Sequence, residues 1–182
     1  MRKAILATLV VLGLVMGICL SGLASASEAY TATVIPRVTV ESGGSLSIVS
    51  GTSGEQNLME FNTVAPGSTT QKTLILGVNA NDVWSLKVGK SEDLYCGNSE
   101  DPGYQQSIPS SSFTYTSNGP AGPTYVGSDT EFGSNGTPSN VVTGGSAVGG
   151  CNVNVVYKLA VPAGQPRGYY VAHHTYTLII GS

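Results

Sequence analysis

Charge is what this chain of 182 residues has least of: Asp, Glu, Lys and Arg together make up only 10% of it. The eight basic side chains are spread from Arg2 to Arg167 and form no cluster. A protein that grips nucleic acid gathers Lys and Arg on one face to neutralise phosphates, so a nucleic-acid partner is not expected. Histidine occurs twice, as His173 and His174, and neighbours in a strand point to opposite faces. A metal site sharing both is therefore excluded as an expectation. No phosphate-cradling P-loop, dinucleotide fingerprint or G-x-S-x-G nucleophile elbow occurs. Catalytic residues, cofactors and enzymatic activity are accordingly not expected. Helical periodicity is missing as well, as is any repeat of 20 to 50 residues.

Long apolar runs are limited to one, at the start. Arg2 and Lys3 precede a nearly unbroken stretch from Ala4 to Leu20, and Ala24-Ser25-Ala26 follows. A charged n-region, an apolar core and small residues at the cut define a secretory signal peptide, with cleavage after Ala26 and a mature chain from Ser27. A retained membrane anchor is the weaker reading, since a spanning helix needs about 20 apolar residues and usually has no cleavage site. Lipidation of Cys19 is weaker still, because Ile18 stands where a small residue is required. Near the C-terminus, "TYTLIIGS" holds neither a second apolar run nor an LPxTG-like sorting signal. The expectation is a secreted, extracellular or cell-surface protein that is not held in a membrane after cleavage.

The mature stretch, 27–182, is one domain's worth of chain. It carries six basic and eleven acidic side chains, a net charge of −5. Cys19 leaves with the signal, so Cys96 and Cys151 remain. An even pair in an exported protein most often forms a disulfide, and that bridge is the expectation here. Two unpaired buried thiols are the alternative.

Gly, Ser, Thr, Asn, Val and Tyr dominate the rest, a composition of strands and turns. "KTLILGV" places Leu74, Leu76 and Val78 on one face, and "VWSLKV" does the same for Trp84, Leu86 and Val88. "CNVNVVYKLAV" aligns Val153, Val155, Tyr157, Leu159 and Val161. In the closing "YYVAHHTYTLII", Tyr176, Leu178 and Ile180 share a face. "SLSIV", "NLMEF" and "SFTYT" are shorter strand predictions. Between them, 89–150 reads as long Gly-, Pro-, Ser- and Asn-rich loops. The fold class predicted is all-β: a single antiparallel β-sandwich of about eight strands over 27–182.

Glu92, Asp93, Glu100 and Asp101 crowd one loop, yet "SEDLYCGNSEDPG" lacks the spacing of a known calcium loop. A solvated acidic loop is the plainer reading. Nine tyrosines and one tryptophan are able either to form a sugar-stacking platform or to fill a core; for Trp84, inside an alternating strand, core is the expectation.

Trp84-Ser85-Leu86, the loop-rich middle and the final "VPAGQPRGYYVAHHTYTLII" together resemble the WxL-domain proteins of Gram-positive bacterial surfaces. In that family a second Trp-x-Leu lies in the closing strand after a phrase like P-A-G-x-x-x-G-x-Y; Tyr176-Thr177-Leu178 stands there with Tyr for Trp. The likeness covers roughly 58–182. It implies a β-rich module held non-covalently at the cell wall, with peptidoglycan or another cell-wall polysaccharide as partner. A second reading is a structural subunit of an extracellular fibre, pilus or matrix. Its partners would be surface proteins including itself, and "EAYTATVIPRVTV" would complete a neighbour's sheet by strand addition.

Overall fold

The computed structural model describes residues 42–53 and 57–181. The expected signal peptide and the extended segment up to Val40 lie outside the described residues. Those described are all-β, in three antiparallel sheets with no α-helix among them.

The chain enters as β1 (Gly44–Ser50), returns as the long β2 (Thr69–Ala80), and turns through Asn81–Val83 into β3 (Trp84–Lys90). After β4 (Leu94–Cys96) and β5 (Ser107–Ile108), a single 3-10 turn at Ser110–Ser112 leads into β6 (Phe113–Asn118). Two short strands follow, β7 (Thr124–Tyr125) and β8 (Thr130–Glu131), then β9 (Ser139–Gly145) and β10 (Val148–Ala160). The last strands are β11 (Tyr170–Val171) and β12 (His174–Ile180). One sheet has the order β1-β2-β10-β6-β8, the second β12-β3-β9-β7, and a small third one β11-β4-β5.

Alternation explains the long strands. Leu74, Leu76, Val78 and Ala80 of β2 are buried, as are Val153, Val155, Tyr157 and Leu159 of β10, because period two puts each set on one face. Antiparallel pairing sets Val153 opposite Leu76 and Val155 opposite Leu74, so the two inward rows meet side by side. Trp84, Leu86 and Val88 of β3 face the same core. The faces predicted from the sequence for β2, β3 and β10 are those observed.

Elsewhere the strands differ from expectation. "NLMEF" is not a strand; it contributes only a bridge between Ser53 and Leu58. The closing segment is broken at Ala172-His173, so that β11 joins the small sheet and β12 the sheet of β3. The stretch 89–150 holds β4 to β9 rather than long loops around "SFTYT" alone. These strands are short or sit among glycines and serines, and β9 buries both Val141 and Val142, which strict alternation forbids. Register shifts in the β3–β9 ladder between Trp84 and Lys87 account for the pair.

Trp84 is the anchor of the second sheet. It pairs with Gly145 of β9, is 2% exposed, and donates its indole N–H to the Ser146 carbonyl at 2.8 Å. A Cβ at residue 145 would run into the indole ring. Trp84→Ala is expected to lower stability by about 3 to 5 kcal/mol, and Gly145→Ala by about 1 to 3 kcal/mol through overpacking. Urea unfolding of both variants, monitored by circular dichroism, checks this; a Gly145→Ala protein as stable as the parent contradicts the packing described.

Candidate functional site

The two W-x-L-like stretches are neighbours. β12 pairs with β3 so that Leu178 lies opposite Leu86, Ile180 opposite Trp84, and Tyr176 opposite Val88. The antiparallel ladder thus aligns the leucines and puts Trp84 and Tyr176 at opposite ends. Trp84 and Leu86 are buried, while Leu178 and Tyr176 are partly buried against the same core. All four are packing residues, and none offers a free aromatic face to a ligand.

Tyr176 belongs instead to a polar knot inside the core. Its hydroxyl shares a hydrogen bond of 2.7 Å with the Tyr157 hydroxyl, which also lies 3.1 Å from Nδ1 of His174. Phe113, Phe132 and Tyr157 surround the His174 ring, with centroids 4.1 to 5.6 Å away. Nε2 of His174 is buried with no hydrogen-bond partner. Burial pushes the His174 pKa down to about 4, and the charges of Lys90 and His173 act in the same direction. Burial also raises the Tyr157 and Tyr176 hydroxyls, so both stay protonated. His173, one residue earlier, points outward and meets Glu92 at 3.3 Å. The opposite orientations expected for the two histidines are observed.

A second polar group lies alongside. Lys90 continues the inward row of Trp84, Leu86 and Val88, and only 7% of it is exposed. Its ammonium meets the Asp93 carboxylate at 2.5 Å and donates to the Ser110 hydroxyl, which donates to Asp93 at 2.7 Å. Burial alone would raise the Asp93 carboxyl, but its bonds to Lys90 and Ser110 and the Lys90 charge outweigh it and bring the pKa below the usual value. The ion pair and the two hydrogen bonds at Ser110 close a polar trio into the core. The sequence carried a signal for it: the alternation that buries Trp84 reaches Lys90.

The acids of 92–101 are spent separately. Asp101 accepts from the Tyr169 N–H at 2.9 Å and lies 3.7 Å from Cys96 Sγ. Among the described residues, no three of His, Cys, Asp and Glu gather where they could hold a metal ion. Cys96 and Cys151 are both free in the structure, so the expected bridge is not formed there. Cys96 is buried in β4 of the small sheet and Cys151 sits in β10 of the five-stranded one. Burial raises the Cys151 pKa.

The exposed large apolar side chains fall in two groups, with Val83 apart from both. The aliphatic side chains of Ile48, Val49 and Leu58 are 40 to 54% exposed at and just beyond β1. Two grooves border this strand: one lined by Ser45, Ser47, Gly77, Asn79 and Asn152, the other by Gly51, Ser53, Leu58 and Lys72. Tyr95, Tyr104 and Tyr169 are the exposed tyrosines of the second group. No family model, curated protein or solved structure matches the chain.

The His174 environment gives a pH dependence with a definite sign. The folded state holds the imidazole pKa near 4, below its ordinary 6.5, so the unfolded chain binds the proton more readily. Stability from this group is complete above pH 6.5 and is lost as pH falls towards 4. Between pH 7 and pH 4.5 the loss is expected to be about 2 kcal/mol. Denaturant titrations at the two pH values measure it, and a His174→Phe variant should remove that part of the pH dependence. A variant with the parent's slope refutes the assignment.

Proposed function

We propose that the chain is an exported, non-enzymatic structural protein of the cell surface, a β-sandwich that associates with further copies by strand addition. The observation that carries this reading is the edge formed by β1. It is the outer strand of its sheet, it has no partner on its far side among the described residues, and it exposes Ile48 and Val49. An open strand with apolar side chains is a template for another chain. Natural monomers blunt such edges with charge, proline or bulges; β1, "GSLSIVS", has neither charge nor proline, and its one register shift, between Ile48 and Ser50, falls at its end.

The donor proposed is "EAYTATVIPRVTV", residues 28–40 of a second copy, an extended stretch by sequence that precedes β1. Pro36 fits a strand added at an edge, where a missing N–H faces away from the ladder. β12 is the outer strand of the other large sheet and approaches β1 where Ile180 lies against Gly44, so a strand laid along β1 also reaches the rim of the second sheet. The non-enzymatic part rests on the polar core, whose Lys90, Asp93 and Ser110 satisfy one another. Wall association, the other expectation, falls to residues other than the W-x-L pair, because Trp84 and Leu86 are enclosed.

Light scattering on the purified chain after signal removal should find assemblies that grow with concentration. An Ile48→Lys, Val49→Lys double variant should run as a monomer with an unchanged unfolding midpoint, and so should a chain lacking residues 27–40. A parent protein that stays monomeric at all concentrations overturns strand addition.

A further inference from the structure

Residues 58–67 cross between β1 and β2 without joining a sheet, and they are pinned at both ends. At the first end Ser53 and Leu58 exchange backbone hydrogen bonds of 2.8 and 3.1 Å. At the second, Ala65-Pro66-Gly67-Ser68 turns the chain: Ser68 N–H donates to the Ala65 carbonyl at 3.1 Å, and Gly67 N–H to the Val161 carbonyl at 2.8 Å. Proline followed by glycine, here with φ at +78°, is the signature of a type II turn. Over 59–64 no backbone–backbone hydrogen bond is made among the described residues. Packing holds this strap instead. Met59, Phe61 and Val64 rest partly buried against the core, and the Phe61 ring meets Phe113 edge-on with centroids 5.7 Å apart. Asn62, beside the anchor, has φ at +56°, a left-handed backbone uncommon for any residue but glycine. A segment with three half-buried contacts and no ladder opens more easily than the sheets it lies against.

The strap lies beside an edge that β1 leaves bare. β2 pairs with β10 from Thr69 to Ala80, whereas β1 covers only Ile75 to Ala80. On that side residues 69–74 have no ladder partner among the described residues. Gly51 approaches so closely that a Cβ there would strike the Thr73 carbonyl. A groove of about 400 Å³ follows, lined by Leu58, Glu60 and Asn62 on one side and by Lys72 and Thr73 of β2 on the other. The strap thus flanks the half-edge without bonding to it. A loop laid over an edge is one of the ways by which folded proteins keep other chains away.

We propose that residues 58–67 are a guard strap that opens as a unit while the two large sheets stay paired, and that opening presents the bare half of β2 to an extended strand of a second copy. The guarding role rests on the strand-addition reading; the opening itself does not. An added strand would find on β2 a row of backbone groups already fixed from the far side by β10, and it would supply the hydrogen bonds that the strap does not make. Assembly and opening are therefore linked: whatever binds the open form draws the strap away from the core, and whatever loosens the strap favours assembly.

Thermolysin, which cuts before large apolar residues, tests the opening on the purified full chain at a concentration where it is monomeric. The first cut should fall before Leu58, Met59, Phe61 or Val64, at a rate nearly flat in urea up to the unfolding transition, and the nicked chain should keep the parent's circular dichroism. Cleavage there that waits for global unfolding overturns the proposal. Phe61→Ala, which removes the anchor, and Asn62→Val, which puts a branched side chain on a left-handed backbone, should each speed the cut about 10-fold. Light scattering should find both variants assembling at lower concentration than the parent; if Phe61→Ala fails to fold, Asn62→Val decides. Variants that are cut faster yet assemble as the parent does refute the guarding role. A parent that is cut in the strap and never assembles removes strand addition, and the guarding role with it, while the opening stands.

Discussion

Trp84 occupies the seam between β3 and β9 only because residue 145 has no side chain. The indole covers the backbone of Gly145 and donates its one polar hydrogen to the next carbonyl, that of Ser146. This contact fixes the middle of the second sheet, since β3 is paired on one side with β9 and on the other with β12. The ladder to β12 runs without a shift from Trp84–Ile180 to Lys90–His174. Where Trp84 sits therefore sets where His174 arrives, at the other end of the ladder.

His174 arrives in a place that suits a neutral ring and no other form. Its Nδ1 reaches the Tyr157 hydroxyl and its Nε2 reaches nothing. A buried polar atom without a partner costs roughly 1 to 3 kcal/mol, a cost the aromatic packing around the ring has to offset. Lys90, paired with His174 across the ladder, brings a positive charge close by. Protonating the imidazole would set two cations side by side in the core. Asp93 and Ser110 satisfy the lysine, so that His174 responds to mild acid, and Asp93, held below the usual carboxylate value, gives way at lower pH.

Much of this was legible in the sequence. Wherever alternation is sustained, as in β2, β3 and β10, the buried face was readable residue by residue, because burial of a two-residue period is a local property. Lys90 was readable in principle on the same ground, although its charge draws it towards the surface class. What was not legible is what depends on partners distant in the chain. β9 shows two adjacent valines inside because its ladder slips against β3. β4 is three residues long and exists through its pairing with β11 and β5. The cysteines were expected together on chemistry alone, and a disulfide also requires the two backbones to approach within a narrow range, a tertiary property that the chain's local pattern does not carry. The Trp-x-Leu spacing is ambiguous for a related reason, since a half-buried strand and a short family motif ask for the same residues at the same interval.

The open edge of β1 is the other place where the fold leaves something unmet. Its far side has no partner among the described residues, and Ile48 and Val49 stand exposed along it. An edge of this kind is a template for any extended strand that reaches it, and the charge that would hold other chains away is missing from "GSLSIVS". If β1 accepts a strand from a second copy, as proposed, each added subunit repeats the same surface at a fixed spacing, and sites repeated in this way raise avidity by about 10² to 10⁴ over a single one without any new contact.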